Sequence, residues 1–124
     1  MAGFDPSLGG ESYCYLTTTG RATGDPHTIE IWFGLPPDGR ALYLLSGGGD
    51  RSDWVRNLVA NPSVTVRVGS RDAEPVAATA RVVEPGEEDA AARRLLATKY
   101  QGWDGTSALS SWARTALCVA LEPV

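Results

Sequence analysis

The sequence has little histidine, little cysteine and no long apolar run, and each shortage excludes a class of protein. His27 is the single histidine among 124 residues, which excludes the usual multi-histidine metal sites. Cys14 and Cys118 form no CxxC or Cys/His pattern and sit inside apolar, strand-like runs, so we expect two buried free thiols. No stretch approaches the length of a membrane-spanning helix, and the polar first residues contain no apolar signal region. We therefore expect a cytoplasmic protein without a membrane span.

The composition indicates one globular domain. An apolar content of 43% with 21% charged residues is typical of a folded, soluble protein. A net charge of -4 gives no support to nucleic-acid binding. Pro6, Gly9 and Gly10 discourage regular structure at the start, so we expect a flexible arm over residues 1–12 and a single domain over 13–124.

Several kinds of catalytic site are missing as well. One histidine in a turn and no nucleophile-elbow motif exclude a serine-histidine triad, and no carboxylate pair stands out as an acid/base couple. The chain is instead rich in aromatic residues and glycine turns. Such a site binds a flat, phosphorylated molecule and leaves the chemistry to that molecule. Most aromatic residues are expected in the core, but Tyr100 and Trp103 follow a long helix in a glycine-broken segment, where exposure is expected.

Apolar periodicity and turn residues predict the order β-β-β-α-β-β-α-β. The first three strands, joined by hairpins, are predicted to form a meander. Hairpin connections make the sheet largely antiparallel, and six short strands with two helices favour a small, mainly β (α+β) barrel whose ends the helices cover. A further stretch, 107–115, reads as a helical turn or irregular structure. The predicted strands are 13–19, 27–35, 41–46, 63–69, 76–84 and 116–124, and the helices are 53–61 and 84–103.

Two elements have a predicted buried face. The helix DWVRNLVAN places Trp54, Val55, Leu58 and Val59 on one core-facing stripe. The strand SVTVRVG alternates strictly and directs its valines at 64, 66 and 68 inward.

A loop of three glycines, Gly47, Gly48 and Gly49, precedes the first predicted helix. Glycine lets a ligand approach the backbone closely, and Asp50 or Ser52 can cap a helix whose positive end faces the same space. With arginines at 51 and 56 nearby, the loop is a candidate anion site. An ordinary glycine-rich connection between strand and helix explains the same residues, and both interpretations stay open at this point.

Two motifs, taken together, carry a resemblance to a known family. The segment 16–33 contains TTTGR-x-[ST]-G-x-P, and the segment 44–69 contains S-x-G-G ahead of W-x-x-N-L-x-A-N-P. The chain thereby resembles the deazaflavin (F420)-dependent nitroreductases and F420H2-dependent quinone reductases. This family implies a six-stranded antiparallel split β-barrel with two or three helices, of the pyridoxamine phosphate oxidase-like, FMN-binding type. It also implies an oxidoreductase that uses coenzyme F420, with FMN as the alternative cofactor.

The resemblance also implies a set of site residues. One group lines the turn that binds the cofactor tail, the glycine loop passes along the deazaflavin or its phosphate, and the helix supports that wall. Ser46 would hold the ring as a catalytic residue, Tyr100 is a second candidate as proton donor, and Tyr100 and Trp103 would face the substrate. The implied cofactor-binding residues are Thr19, Arg21, Thr23, His27, Ser46, Gly47, Gly48, Gly49, Arg51, Trp54 and Asn57. No metal ligand is implied.

Two positions depart from the family pattern. Ala22 stands where a lysine is frequent, and His27 stands where a second arginine is frequent. A charge-assisted contact to phosphate contributes more than a neutral one, so tail binding should be weaker or differently placed, with Arg51 and Arg56 as candidates for compensation.

The implied reaction is hydride transfer from the reduced deazaflavin to a small-molecule acceptor such as a quinone, enone or nitroaromatic compound. Protein groups would act mainly by positioning the reactants. The resemblance further implies a homodimer. An FMN-dependent oxidoreductase and a non-catalytic barrel that only binds a cofactor or apolar ligand are the alternatives.

Overall fold

A computed structural model describes residues 3–124 of the chain, and these form six strands and three α-helices. The predicted order of elements is confirmed, and the uncertain stretch near 111 forms the third helix. The strands are β1 (Cys14–Thr19), β2 (Pro26–Ile31), β3 (Leu42–Ser46), β4 (Ser63–Val68), β5 (Val76–Val82) and β6 (Leu117–Pro123). The helices are α1 (Asp53–Ala60), α2 (Glu87–Gln101) and α3 (Ser111–Thr115), with 3-10 turns at Pro6–Gly10 and Gly49–Arg51.

All six strands belong to one antiparallel sheet in the order β2-β1-β4-β5-β6-β3. The predicted meander of the first three strands is therefore wrong, because β3 pairs with β6, where Leu42 lies opposite Leu121 and Ser46 opposite Leu117. The physical reason is burial. All five residues of β3 are buried, so this strand needs cover on both faces, whereas β2 is largely exposed.

The sheet curls until its two edges meet at one bridge between Gly34 and Tyr43. The Gly34 amide donates to the Tyr43 carbonyl at 2.9 Å, and the Tyr43 amide donates to Gly34 at 2.8 Å. Between the end of β2 and this bridge, Trp32 and Phe33 leave the ladder, so the barrel is split there. The prediction of a split β-barrel is confirmed.

Buried side chains form two groups, one on each side of the sheet. The first fills the barrel and includes the predicted inward valines of β4, the Cys14 thiol, and Leu58 from α1, which closes one end. The second lies between the outer face of β3 and β6 and helix α2, and includes Cys118 and Leu96. Both cysteines are buried and free, as predicted, and burial raises the pKa of each thiol to about 12.

An ion-pair network fastens the start of α2 to the sheet. Arg81 donates to both carboxylate oxygens of Glu88, at 2.9 and 2.6 Å, and its Nε donates to Glu122 at 2.7 Å. The Tyr43 hydroxyl also donates to Glu88, at 2.6 Å. The bonds from Arg81, and then that from Tyr43, lower the pKa of Glu88 to about 2.

One local prediction differs from the structure. Val59 is exposed although we placed it on the core-facing stripe, because α1 buries only Val55 and Leu58 of that stripe almost completely. The predicted flexible arm lies partly outside the described residues, and its flexibility stays a prediction. Within it Phe4 is buried, and its amide donates to the carbonyl of Gly39 at 2.8 Å.

Gly39 is required at this contact, because its φ of 65° is left-handed and a Cβ there would collide with the Phe4 carbonyl. None of the helices formed by residues 3–124 is both long enough and apolar enough to cross a bilayer.

Candidate functional site

A cavity of about 700 Å³ lies where the turn after β1 meets helix α1. It brings together five of the residues that the resemblance assigns to the cofactor: Arg21, Thr23, His27, Trp54 and Asn57. We call it the first cavity. Its other lining residues are Thr18, Gly20, Ala22, Pro26, Thr28, Ile29 and Asp53.

Arg21 is fixed in the first cavity by helix α1. Its Nη1 donates to Asn57 Oδ1 at 2.8 Å and its backbone amide donates to the same oxygen at 3.2 Å. Its Nη2 pairs with Asp53 Oδ1 at 3.1 Å. The buried amide of Asn57 in turn donates from Nδ2 to Thr18 Oγ1 at 3.2 Å. Asn57 and Asp53 of α1 thus hold the guanidinium in one orientation, and Thr18 of β1 in turn holds Asn57.

His27 lies over Gly20, and the close approach explains the glycine. A Cβ at position 20 would come within 2.7 Å of His27 Nε2, so a larger residue there would displace the imidazole. The Gly20 amide donates to the Asp25 carbonyl at 2.7 Å, and Gly24, with φ of 79°, closes the turn. This tight turn presents the imidazole and the Thr23 hydroxyl to the first cavity.

A second cavity, of about 360 Å³, opens on the other half of β2. Thr28 and Ile29 line the first cavity, and Glu30 and Ile31 line the second, so the two cavities are neighbours along one strand. Aromatic rings dominate the second cavity. Its lining residues are Tyr13, Glu30, Ile31, Trp32, Leu45, Gln101 and Trp112.

Side chains of α2 hold the split of the barrel beside the second cavity. The Phe33 amide donates to the Tyr100 hydroxyl at 3.0 Å, and Lys99 Nζ donates to the Phe33 carbonyl at 3.1 Å. Tyr100 also stacks on Trp32, with ring centroids 4.3 Å apart and planes 2° apart. The backbone amide and carbonyl of Phe33, which have left the strand ladder, therefore bond to side chains of α2. One of these side chains, Tyr100, also stacks on Trp32 and orients it.

The environment of the split changes two pKa values. Burial raises the pKa of Tyr100 to about 12, and burial lowers the pKa of Lys99 to about 8. The ammonium of Lys99 also lies 3.6 Å from the centroid of the Phe33 ring, a stabilising cation–π distance. Because the Tyr100 hydroxyl is bonded to backbone and resists ionisation, its geometry fits a positioning residue better than a proton donor.

The glycine loop does not line the first cavity. Ser46 is buried, and its hydroxyl bonds within the loop, donating to the Gly49 carbonyl at 3.0 Å and lying 2.8 Å from Ser52 Oγ. Gly47 lies beside Trp112, on the side of the second cavity. Ser52 is the residue before α1, but its side chain makes no capping hydrogen bond there. The loop therefore connects β3 to α1 and lies against Trp112, which lines the second cavity.

Other residues of the predicted set lie outside both cavities. They are Thr19, Gly48, Gly49, Arg51, Tyr100 and Trp103. Trp103 lies with the segment after α2, and its indole donates to the Ser107 carbonyl at 2.8 Å. Tyr100 and Trp103 thus do not share one cavity. Arg56, suggested as compensating charge, lines a different hollow on α1.

Sequence reasoning missed Thr18, Trp32 and Trp112. Thr18 occupies the inward position of β1 next to the predicted Thr19, so the strand alternation could have identified it. Trp32 alternates with the polar residues of HTIEIWFGL, and a large aromatic residue on a polar strand face could have indicated a ligand-facing position. No comparable signal marks Trp112.

The donors of the first cavity fit an anionic group. Arginine has five N–H donors, and the Arg21 guanidinium keeps its Nε–H and one Nη2–H without a partner among residues 3–124. Imidazole and hydroxyl donors stand beside it, while the mainly exposed Asp53 reduces the local positive charge. Within the described part of the chain, no group of three His, Cys, Asp or Glu residues is arranged to hold a metal ion.

Comparison with known families gives a match over most of the chain. A family model for F420H(2)-dependent quinone reductases matches residues 5–120. F420H(2)-dependent quinone reductases of two Mycobacterium tuberculosis strains, H37Rv and CDC 1551, are each 35% identical to the chain over 90 residues. These matches cover 72% of the chain and 54% of each relative. The chain therefore spans about half the length of the curated relatives it matches.

Solved structures show the same fold at low identity. A conserved hypothetical protein of Mycobacterium tuberculosis superposes with a TM-score of 0.78 at 18% identity, over 95% of this chain and 77% of that one. An F420-H2-dependent reductase gives 0.66 at 23% identity, over 89% of this chain and 93% of that one. A candidate pyridoxamine 5'-phosphate oxidase of Listeria innocua gives 0.66 at 18%, over 94% and 86%. These likenesses agree with the split barrel described above.

Proposed function

The chain belongs to the F420H(2)-dependent quinone reductase family, and from this premise we propose that it is a reductase that delivers a hydride to a small-molecule acceptor. The family implies coenzyme F420 as the cofactor, which supplies the hydride when bound in its reduced form. The observation that carries the proposal is the first cavity, where Arg21, Thr23, His27, Trp54 and Asn57 converge from two separate motifs.

In this proposal the first cavity holds the anionic part of the cofactor. Arg21 donates charge-assisted hydrogen bonds from the N–H groups that Asn57 and Asp53 leave free. Thr23 and His27 add donors from the adjoining turn. Because Asn57 fixes the guanidinium before any ligand arrives, little side-chain entropy is lost on binding.

The second cavity holds the acceptor in this proposal, because it adjoins the first along β2 and is walled by Trp32 and Trp112. These walls would orient a flat molecule beside the first cavity, so that the protein acts by positioning the reactants. We propose a quinone as the acceptor class, with enones and nitroaromatic compounds as further acceptors. The proton is taken from solvent rather than from Tyr100, whose hydroxyl is bound to backbone.

A binding experiment tests the cofactor assignment. Purified protein is titrated with F420 and, separately, with FMN, following fluorescence at low and high salt. We expect micromolar or tighter binding of F420, weakened by Arg21→Ala, with the difference between variant and parent shrinking as salt screens the charge. Arg94→Ala is the matched control, because Arg94 is an exposed arginine of α2 that lines neither cavity.

The outcomes separate the alternatives. Binding of neither cofactor contradicts the proposal, and binding of FMN alone favours the flavin-dependent alternative. If F420 binds but no quinone, enone or nitro compound reoxidises F420H2, the chain is a binder without turnover. An Arg21→Ala affinity equal to that of Arg94→Ala removes Arg21 from the site.

We further propose a homodimer in the cytoplasm. The dimer rests on the family resemblance, and light scattering on the purified protein measures it directly. Cys14 and Cys118 are free thiols, which fits a reducing compartment. A monomeric mass at the concentrations of the binding assay would contradict the dimer without affecting the cofactor assignment.

A further inference from the structure

The second cavity is a corner built from aromatic rings. Trp32 and Trp112 stand at 86° to each other with centroids 5.5 Å apart. Tyr100 covers one face of Trp32, yet Trp32 remains 38% exposed, so part of its surface is available to a ligand. Tyr13, also exposed, adds a third ring to the lining. A ligand in this cavity meets aromatic surface from more than one direction.

One carboxylate accompanies these rings. Glu30 is the charged residue among the described residues that line the cavity, and its Oε2 accepts a hydrogen bond from the Tyr15 hydroxyl at 2.8 Å. Two cations in the neighbourhood are engaged elsewhere. Arg71 lies 4.7 Å from the centroid of the Tyr15 ring, and Lys99 donates to the Phe33 carbonyl. The residues that line the cavity therefore combine one carboxylate with three aromatic rings, and neither of the two cations is among them.

We propose that the second cavity binds planar cationic aromatic ligands in preference to anionic ligands of the same shape. A cation is attracted to the face of an aromatic ring, most strongly to tryptophan, and also to the carboxylate of Glu30. An anion of equal size meets the same apolar surface but is repelled by both groups. The volume of about 360 Å³ suits a ligand of one or two fused rings.

This preference has a consequence for the acceptor. The use of the second cavity by the acceptor rests on the proposed function, whereas the charge preference does not, because it can be measured without cofactor. If both hold, positively charged acceptors are reduced more efficiently than sulfonated ones.

The test is calorimetric titration of the cofactor-free protein with three bicyclic probes of matched shape. They are N-methylquinolinium as cation, quinoline at pH 7.5 as neutral compound, and naphthalene-2-sulfonate as anion. We expect the cation to bind about tenfold more tightly than the anion, with quinoline between them. Failure of F420 binding leaves this measurement unaffected, so the two proposals fail separately.

Variants test which residues cause the preference for the cation. Glu30→Gln keeps an oxygen acceptor for Tyr15 and should reduce the difference between cation and anion to about threefold or less, leaving quinoline affinity unchanged. Glu84→Gln is the matched control, because it makes the same charge change at an exposed glutamate outside the cavity. Trp112→Ala should weaken all three probes.

Any one of four results would overturn the proposal. Two concern the probes: equal affinity for the cation and the anion, or no binding of any probe at millimolar concentration. Two concern the variants: an equal effect of Glu30→Gln and Glu84→Gln, or unchanged cation affinity in Trp112→Ala. Circular dichroism of each variant checks that a lost affinity does not come from unfolding.

Discussion

Asn57→Ala should lower the free energy of unfolding by about 2–4 kcal/mol, because it removes the buried amide that joins α1 to β1 and to the turn after it. Asn57 is buried, with only 4% of its surface exposed. It accepts two hydrogen bonds from Arg21, at 2.8 and 3.2 Å, and donates one to Thr18 at 3.2 Å.

The magnitude follows from what each partner of Asn57 can recover. The bond from the Arg21 guanidinium is charge-assisted and contributes about 1.5–3 kcal/mol, but this side chain is 36% exposed and can bind water instead. Thr18 is 2% exposed, so its hydroxyl stays without a partner, at a cost of about 1–3 kcal/mol. The loss at Thr18 is therefore the larger part of the effect.

Urea unfolding followed by circular dichroism measures this change. For a chain of 124 residues the expected loss corresponds to a fall in Tm of roughly 8–16 °C. Asn61→Ala is the matched control, because Asn61 directly follows α1, is exposed, and accepts one hydrogen bond from Ser63. Equal destabilisation by Asn57→Ala and Asn61→Ala would refute the reasoning, since the buried network would then contribute no more than an exposed turn.

Three further changes test other parts of the structure. The low pKa of Glu88, about 2 against the usual 4.5, stabilises the fold above pH 4.5, and this contribution is lost as the pH falls toward 2. Glu88→Gln should therefore destabilise by about 1 kcal/mol at pH 7, after screening by solvent, and by less at pH 3 in urea unfolding. Gly20→Ala should displace His27 and weaken F420 binding roughly threefold, as fluorescence titration would measure. Tyr100→Phe leaves a backbone amide without its acceptor, so that amide should exchange hydrogen faster and the unfolding free energy should fall by about 1–3 kcal/mol.

Most of the fold was predictable because its elements have strong local signals. Strict alternation in β4 and the turn residues around Gly39 specify a strand and a reversal without reference to distant residues. The pairing of β3 was not predictable in the same way. Its sequence, LYLLS, is buried throughout and shows no alternation, so nothing local distinguishes a neighbour in β2 from one in β6. Strand neighbours far apart in sequence are chosen by the packing of the whole sheet.

The site was predictable to the extent that one motif carries several of its residues. Arg21 and Asn57 belong to the two motifs whose joint presence indicates the family, and the structure brings them into hydrogen-bond contact. Ser46 shows the limit of that reasoning, because a motif position does not say whether a hydroxyl faces a ligand or its own loop. The role of Tyr100 depends on where the ladder breaks at Phe33, which only the folded barrel determines.

The pairing of β3 with β6 also decides the order in which the nascent chain can fold. About 70 residues separate Ser46 from its partner Leu117, so at roughly 5–20 residues per second the ribosome needs about 4–14 s to supply the missing strand. Until then β3 has a single bridge, at Tyr43, and its apolar surface is open to other chains. Co-translational chaperone binding should therefore concentrate on this strand, and synonymous codons that slow translation between the two strands should lower the soluble yield.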